Sequence, residues 1–114
     1  MWGYAMNNRE KLIAFFEAEN NRDWEKYRQF LHPDVKWVLH SKKAHTVCGI
    51  NAYVSEMNAA YSDNGTTFVC EGLYPSIAEN RIVTILVNSL NERSCDIFDF
   101  KDGLIYEEHE FILA

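Results

Sequence analysis

The Asp102-Gly103 dipeptide lies between two runs rich in apolar, aromatic and β-branched residues, and it constrains this chain more than any other feature. Asp-Gly takes the positive φ angles of a two-residue hairpin turn at little cost, so Cys95–Phe100 and Leu104–Ile112 are expected to fold back on each other as antiparallel strands. Counting outward from the turn pairs Lys101 with Leu104, Phe100 with Ile105, Phe98 with Glu107 and Asp96 with His109. Side chains alternate between faces along a strand. Asp96, Phe98, Phe100, Ile105, Glu107, His109 and Phe111 are therefore expected on one mainly aromatic face. Ile97, Asp99, Tyr106, Glu108, Glu110 and Ile112 fall on the other, a mixture suited to partial exposure.

The rest of the chain supplies what such a hairpin needs for a core. Asn7-Asn8 caps an amphipathic helix whose stripe runs through Leu12, Phe15, Phe16 and Glu19. Asp23 caps a second, shorter helix through Trp24, Tyr27, Phe30 and Leu31, and His32-Pro33-Asp34 ends it. Val35–His40 reads as a strand with Val35, Trp37 and Leu39 on one face, and Ser41–Val47 as a polar loop. Ile50, Tyr53, Val54, Met57 and Tyr61 mark a third amphipathic helix. Past Gly65 the period becomes that of strands, Thr66–Tyr74 and Arg81–Ser89, the second apolar on both faces and so central. The order α-α-β-α-β-β-β-β predicts an α+β domain, helices packed on one face of a bent sheet.

At 114 residues the chain has the length of a single domain, with residues 1–6 read as an extension and Met6 as an alternative start. A formal charge of −6 disfavours a partner bound through phosphates, so no nucleic acid is expected. No apolar run is long enough for a membrane span, and the N-terminus lacks the pattern of an export signal, so the expected location is cytoplasmic. Cys48, Cys70 and Cys95 are widely spaced and read as buried small residues rather than a zinc set. His40, His45 and Cys48 make an irregular group, so no metal is expected, and His32, His40 and His45 are read as solvated. No phosphate loop, dinucleotide fingerprint or nucleophile motif is present.

Three stretches resemble one family. Asn21-Arg-Asp-Trp-Glu-Lys-Tyr27 with Phe30-Leu-His-Pro-Asp-Val-Lys-Trp37 is similar to the opening of the nuclear transport factor 2-like (cystatin-like) superfamily, in particular its SnoaL-like group. Gly49-Ile-Asn-Ala-Tyr53 resembles the start of that family's third helix, and Asp96–Glu107 its Asp-Gly hairpin. The chain departs from the pattern at His109, where a tryptophan is common, and at Asp99, where an arginine is. The resemblance implies a strongly curved, mainly antiparallel sheet forming a cone closed by three helices. It also implies a small apolar ligand and no cofactor, in an isomerase, cyclase or dehydratase, or else a non-catalytic dimeric binding or scaffold domain.

Chemistry is expected at the hairpin. An aspartate opposite an imidazole fixes its tautomer and raises its basicity, so Asp96 and His109 read as an acid–base pair for proton transfer, with Glu107 as a third ionisable group. The alternative is a satisfied buried pair at the cone mouth. Phe16, Trp37, Tyr53, Met57, Phe98 and Phe111 are the expected pocket lining. Val83, Ile85 and Val87 form an apolar strip on the sheet face that the helices leave bare, which predicts a homodimer.

Overall fold

The computed structural model describes residues 6–113, so the expected extension before Met6 lies outside the described residues. The elements run α1 (Asn8–Asn20), α2 (Trp24–Arg28), β1 (Leu31–His40), β2 (His45–Cys48), α3 (Ile50–Ala60), β3 (Phe68–Pro75), β4 (Arg81–Asn88), β5 (Arg93–Lys101) and β6 (Leu104–Ile112). One sheet carries the strands in the order β2-β1-β6-β5-β4-β3. Only β1 and β6 pair in parallel. The expected α+β architecture holds: the helices sit on one face of a curved, open sheet.

Local chemistry explains the helix starts. Asn7 and Glu10 form a reciprocal capping box on α1, and Asp23 accepts from the Lys26 N–H at the start of α2. Gly49 enters α3 at φ 91°, a conformation that disfavours side-chain-bearing residues, and its N–H donates to the Val35 carbonyl. Leu12, Phe15 and Phe16 of α1 are buried, and Phe15 stacks on Tyr27 with ring centroids 4.1 Å apart. Tyr27, Tyr53, Phe98, Ile82 and Ile105 complete the core between helices and sheet.

Two boundaries differ from expectation. The second helix stops at Arg28, and Leu31 already pairs with Ile105 in the sheet, so the strand begins before Pro33 rather than after it. Part of the polar stretch 41–47 is the edge strand β2, held to β1 from Lys36↔Cys48 to Leu39↔His45, with Val47 turned into the core. Short polar edge strands give little alternating signal, which is why this one reads as loop.

The hairpin turn forms as expected. Asp102 and Gly103 take φ 54° and 75°, Lys101 pairs with Leu104 and Phe100 with Ile105. The register then shifts: Asp99 pairs with Glu107, Phe98 with Glu108, Ile97 with His109 and Asp96 with Glu110. Tyr106 is the extra residue of a β-bulge, and beyond it every β6 side chain swaps face. Asp96 and His109 therefore do not oppose each other. Glu107, His109 and Phe111 lie on the outer face, and Glu108, Glu110 and Ile112 turn inward. The β1–β6 ladder is irregular at the same level, between Leu31 and Lys36, where Pro33 has no N–H to give.

Candidate functional site

Between α1, α3 and the concave face of the sheet is a cavity of about 400 Å³. Its walls are aromatic and aliphatic: Phe16 from α1, Trp37 and Leu39 from β1, Met57 and Tyr61 at α3, Phe68 from β3, Leu86 from β4 and Phe98 from β5. Four carboxyl groups converge on it, Glu19, Asp96, Glu108 and Glu110. Asn88, Glu92, Arg93 and Ser94 also line it, at the β4–β5 turn end.

Each carboxyl is placed by its element. Glu19 occupies the next position along the Leu12–Phe15–Phe16 stripe, so a helix that buries those residues must carry a carboxyl inward with them. The Tyr61 and Tyr27 hydroxyls donate to it, at 2.6 and 3.2 Å. Arg22, at φ 58°, lies over the Tyr61 ring and donates to the carbonyls of Glu19 and Thr66, tying the end of α1 to the segment that follows α3. The Asn20 amide exchanges two hydrogen bonds with the Phe68 backbone, which fixes the start of β3 beside the cavity.

Asp96 and Glu108 are almost fully buried and lie diagonally across the hairpin, Asp96 opposite Glu110 and Glu108 opposite Phe98. The Ser94 hydroxyl donates to Asp96 at 2.6 Å, and the Tyr53 hydroxyl donates to Glu108. Glu110 accepts from the Trp37 indole N–H at 3.2 Å. One oxygen from each of Asp96, Glu108 and Glu110 lies within 4.8 Å of the others, so the three carboxyls form one cluster.

Burial dominates the electrostatics. It pushes Glu19 up to about 7, against the hydrogen bonds from Tyr61 and Tyr27. Glu110 rises to about 8, through burial first and then the nearby Asp96 and Glu19 charges. Glu108 is held well above the usual carboxylate range by burial and by Asp96, and Asp96 is raised by burial too. Carboxyls so placed bind protons more tightly than exposed ones, and with Glu19 at about 7 and Glu110 at about 8 these two can give up or take protons around neutral pH.

Of the expected site residues, Asp96, Phe16, Trp37, Met57 and Phe98 line the cavity. Tyr53 is buried beneath it, with its hydroxyl committed to Glu108 rather than free for a ligand. Glu107, His109 and Phe111 are elsewhere, because the bulge turned them outward. There His109 bridges Glu107 and His40, with 2.9 Å to the His40 Nε2, and His40 stacks on Phe111 at 4.3 Å. His40 is thus packed and hydrogen-bonded rather than simply solvated. Sequence reasoning missed Glu19, Glu108 and Glu110 as site residues. A glutamate on an apolar helical stripe was a legible signal for the first. The other two needed the bulge.

The sequence matches the SnoaL-like domain over residues 12–108. No curated protein sequence matches the chain. Solved structures share the fold at low identity. A nuclear transport factor 2-like protein of unknown function from Cytophaga hutchinsonii superposes with TM-score 0.80 at 13% identity, over 98% of this chain and 95% of its own. A Mycobacterium tuberculosis protein in complex with estradiol-17beta-hemisuccinate gives TM-score 0.77 at 17% identity, over 92% and 93%. A computationally designed 17-OHP binder gives TM-score 0.77 at 17% identity, over 96% and 93%. With residues 12–108 matched and the helix-closed sheet in place, the chain belongs to the SnoaL-like domain family.

Proposed function

We propose that this chain, as a single domain, binds a small and largely apolar molecule in the cavity and catalyses a cofactor-free proton transfer on it, as in an isomerase, cyclase or dehydratase. The observation that carries this is the convergence of four carboxyls with raised proton affinity on an aromatic cavity of about 400 Å³. The acid–base pair expected from Asp96 and His109 becomes Asp96 with its inward neighbours. Asp96, sharing a proton with Glu108, donates to a ligand oxygen, while Glu110 takes a proton near neutral pH. Ligands in two solved relatives of the same fold, a steroid ester and 17-OHP, support an apolar body of that size.

A direct test incubates the protein with an apolar cyclic ketone in D2O and follows deuterium entry beside the carbonyl by NMR. Exchange above background, lowered about a hundredfold or more in Asp96→Asn and Glu110→Gln, is the expected result. Binding without exchange leaves the second reading, a non-catalytic ligand-binding domain. That reading draws support from the interior itself, where each fully buried side-chain oxygen and nitrogen among the described residues has a hydrogen-bond partner.

The same proposal includes a homodimer. Val83, Ile85 and Val87 are only half-buried on the outer sheet face, and Val69 and Tyr74 beside them are exposed. A second copy would cover this strip. Sedimentation at micromolar concentration should return twice the monomer mass, and a clean monomer removes this part. Among the described residues no helix is long and apolar enough to cross a membrane. Three free thiols fit the reducing cytoplasm, which is the location we assign.

A further inference from the structure

Two of the most deeply buried side chains, Tyr27 of α2 and Tyr53 of α3, belong to no wall of the cavity, yet each turns its hydroxyl to a carboxyl that does. Tyr27 meets Glu19 at 3.2 Å, Tyr53 meets Glu108, and the two hydroxyls are hydrogen-bonded to each other. Glu108 is in turn bonded to Asp96. One unbroken row, Glu19–Tyr27–Tyr53–Glu108–Asp96, therefore runs behind the cavity wall from α1 to the sheet. Phenylalanine would fill the same space at both tyrosine positions, with no hydroxyl to satisfy in a dry core.

A hydroxyl accepts as readily as it donates, so such a row can point its hydrogens either way. With the proton on Glu19, Glu19 donates to Tyr27, Tyr27 to Tyr53 and Tyr53 to Glu108. With the proton on Glu108, each bond runs in reverse. Passing from the first state to the second breaks three O–H bonds and forms three. Each tyrosine keeps one hydrogen, and the net change is one proton moved from Glu19 to Glu108. The two ends are unlike. Asp96 and Glu108 are almost fully buried, whereas Glu19 is half-buried beside the half-buried Tyr61 just past α3, whose hydroxyl meets it at 2.6 Å. The other charged neighbours leave the row intact: Arg22 is spent on backbone carbonyls and the Tyr61 ring, and Glu110 takes the Trp37 indole N–H.

We propose that this row is a proton relay, with Glu19 the end that exchanges protons with water and Tyr27 and Tyr53 the carriers that reset the Asp96–Glu108 pair while a ligand fills the cavity. This rests on reading the cavity as the place of proton transfer and adds how its acid recovers. An apolar ligand displaces water from the cavity, so Asp96, once it has given a proton to the ligand, is cut off from solvent on that side. The row lies behind the wall and stays open. Glu19, raised to about 7 by burial, is protonated about half the time at neutral pH and serves as the donor.

The test reads the carboxyls directly. Protein carrying carbon-13 at its glutamate side-chain carboxyls is titrated by NMR from about pH 5 to 9, with Glu19→Gln and Glu108→Gln assigning the two resonances. In the unmodified protein the Glu108 resonance should show an inflection at the midpoint of Glu19, about 7. Tyr27→Phe cuts the row and leaves the charges in place, so that inflection should vanish while Glu19 still titrates. Should this variant fold poorly, Tyr53→Phe cuts the row one bond further on and gives the same readout. Exchange of the cyclic ketone in D2O should fall about tenfold or more in Tyr27→Phe, with ketone affinity unchanged. A Glu108 resonance that never follows Glu19, or that follows it equally in Tyr27→Phe, overturns the relay: the carboxyls then feel each other only through their fields. Full exchange in Tyr27→Phe also overturns it and leaves the catalytic reading standing. No exchange in the unmodified protein, with the shared inflection present, overturns the catalytic reading alone.

Discussion

The two faces of the β5–β6 hairpin carry similar side chains and solve opposite problems. On the outer face Glu107 meets His109 directly and Lys36 at 3.9 Å, and Asp99 is clasped by Arg81 at 2.6 Å. Every carboxylate there has a base within reach, and all are partly open to water. On the inner face Asp96, Glu108 and Glu110 meet hydroxyls, an indole and one another. Acidic groups are tolerated outside because charge is balanced, and inside because burial makes them hold protons more tightly and hydroxyl and indole donors meet them. Only the second arrangement responds to a ligand that changes the local charge. It is also the arrangement that sits in a cavity.

Tyr106 keeps the two faces apart, so deleting it should have the largest effect. An unbroken register would drive Glu107, His109 and Phe111 inward and push Glu108, Glu110 and Ile112 out, stripping Trp37 and Tyr53 of their partners. We expect a loss of more than about 4 kcal/mol, or no folded protein, by urea denaturation. A deletion that keeps nearly full stability would mean the two faces are interchangeable.

Next comes the pH dependence. Glu110 and Glu19 bind protons more tightly in the folded chain than in the unfolded one. As pH rises from about 5 to about 8 the unfolded chain has already lost protons that the folded chain must still give up. Stability therefore falls over that window, by at most about 1.4 kcal/mol per pH unit for each group titrating, and levels off above it. Melting temperature recorded from pH 5 to 9 should show this decline, and Glu110→Gln should flatten its upper part. A melting temperature that rises over the window would break the contrast between the faces.

Legibility in the sequence follows the same division. Where one physical preference dominates a segment, the chain declares it: the capped stripe of α1, the Asp102-Gly103 turn, the two-faced apolar run of β4. These carried the architecture. The site depended on one inserted residue that no local preference requires. Past Ile105 the sequence reads Tyr-Glu-Glu-His-Glu-Phe-Ile, and either register buries ionisable groups beside aromatics. Alternation therefore could not choose between His109 inside and Glu110 inside. The break in pairing near Pro33 on β1, at the same level of the sheet, lies far away in sequence. Glu19 was different: its place on the α1 stripe was visible, but a carboxyl there looked like the edge of the stripe rather than part of a site.

A smaller effect is expected at the seam between cluster and core. Tyr53→Phe leaves the buried Glu108 without its hydroxyl donor while preserving the ring packing against Tyr27 and Trp37. The cost should be about 1–3 kcal/mol in urea, the range for a buried acceptor deprived of its donor. It should change little between pH 4 and neutrality, because burial and Asp96 hold the proton on Glu108 and the lost bond is one between uncharged groups. A cost that grows steeply from pH 4 to 8 would mean that Glu108 ionises in the folded chain despite its burial.

The smallest effect belongs to the outer face. His109→Ala removes the bridge between Glu107 and His40 but opens no cavity, since His109 is half-exposed and His40 retains its stack on Phe111. Its partners can turn to water, and Glu107 keeps Lys36 nearby. Denaturation should register a loss within about 1 kcal/mol, as is usual for exposed polar contacts. Isotope exchange should not change, because the backbone of β6 separates His109 from the cavity. Any larger consequence should appear in sedimentation, where a second copy resting on Val83, Ile85 and Val87 would feel the lost ring. If instead His109→Ala abolished exchange while the fold survived, His109 would have to reach the cavity in solution. The bulge at Tyr106 would then be only one of two registers that the hairpin adopts.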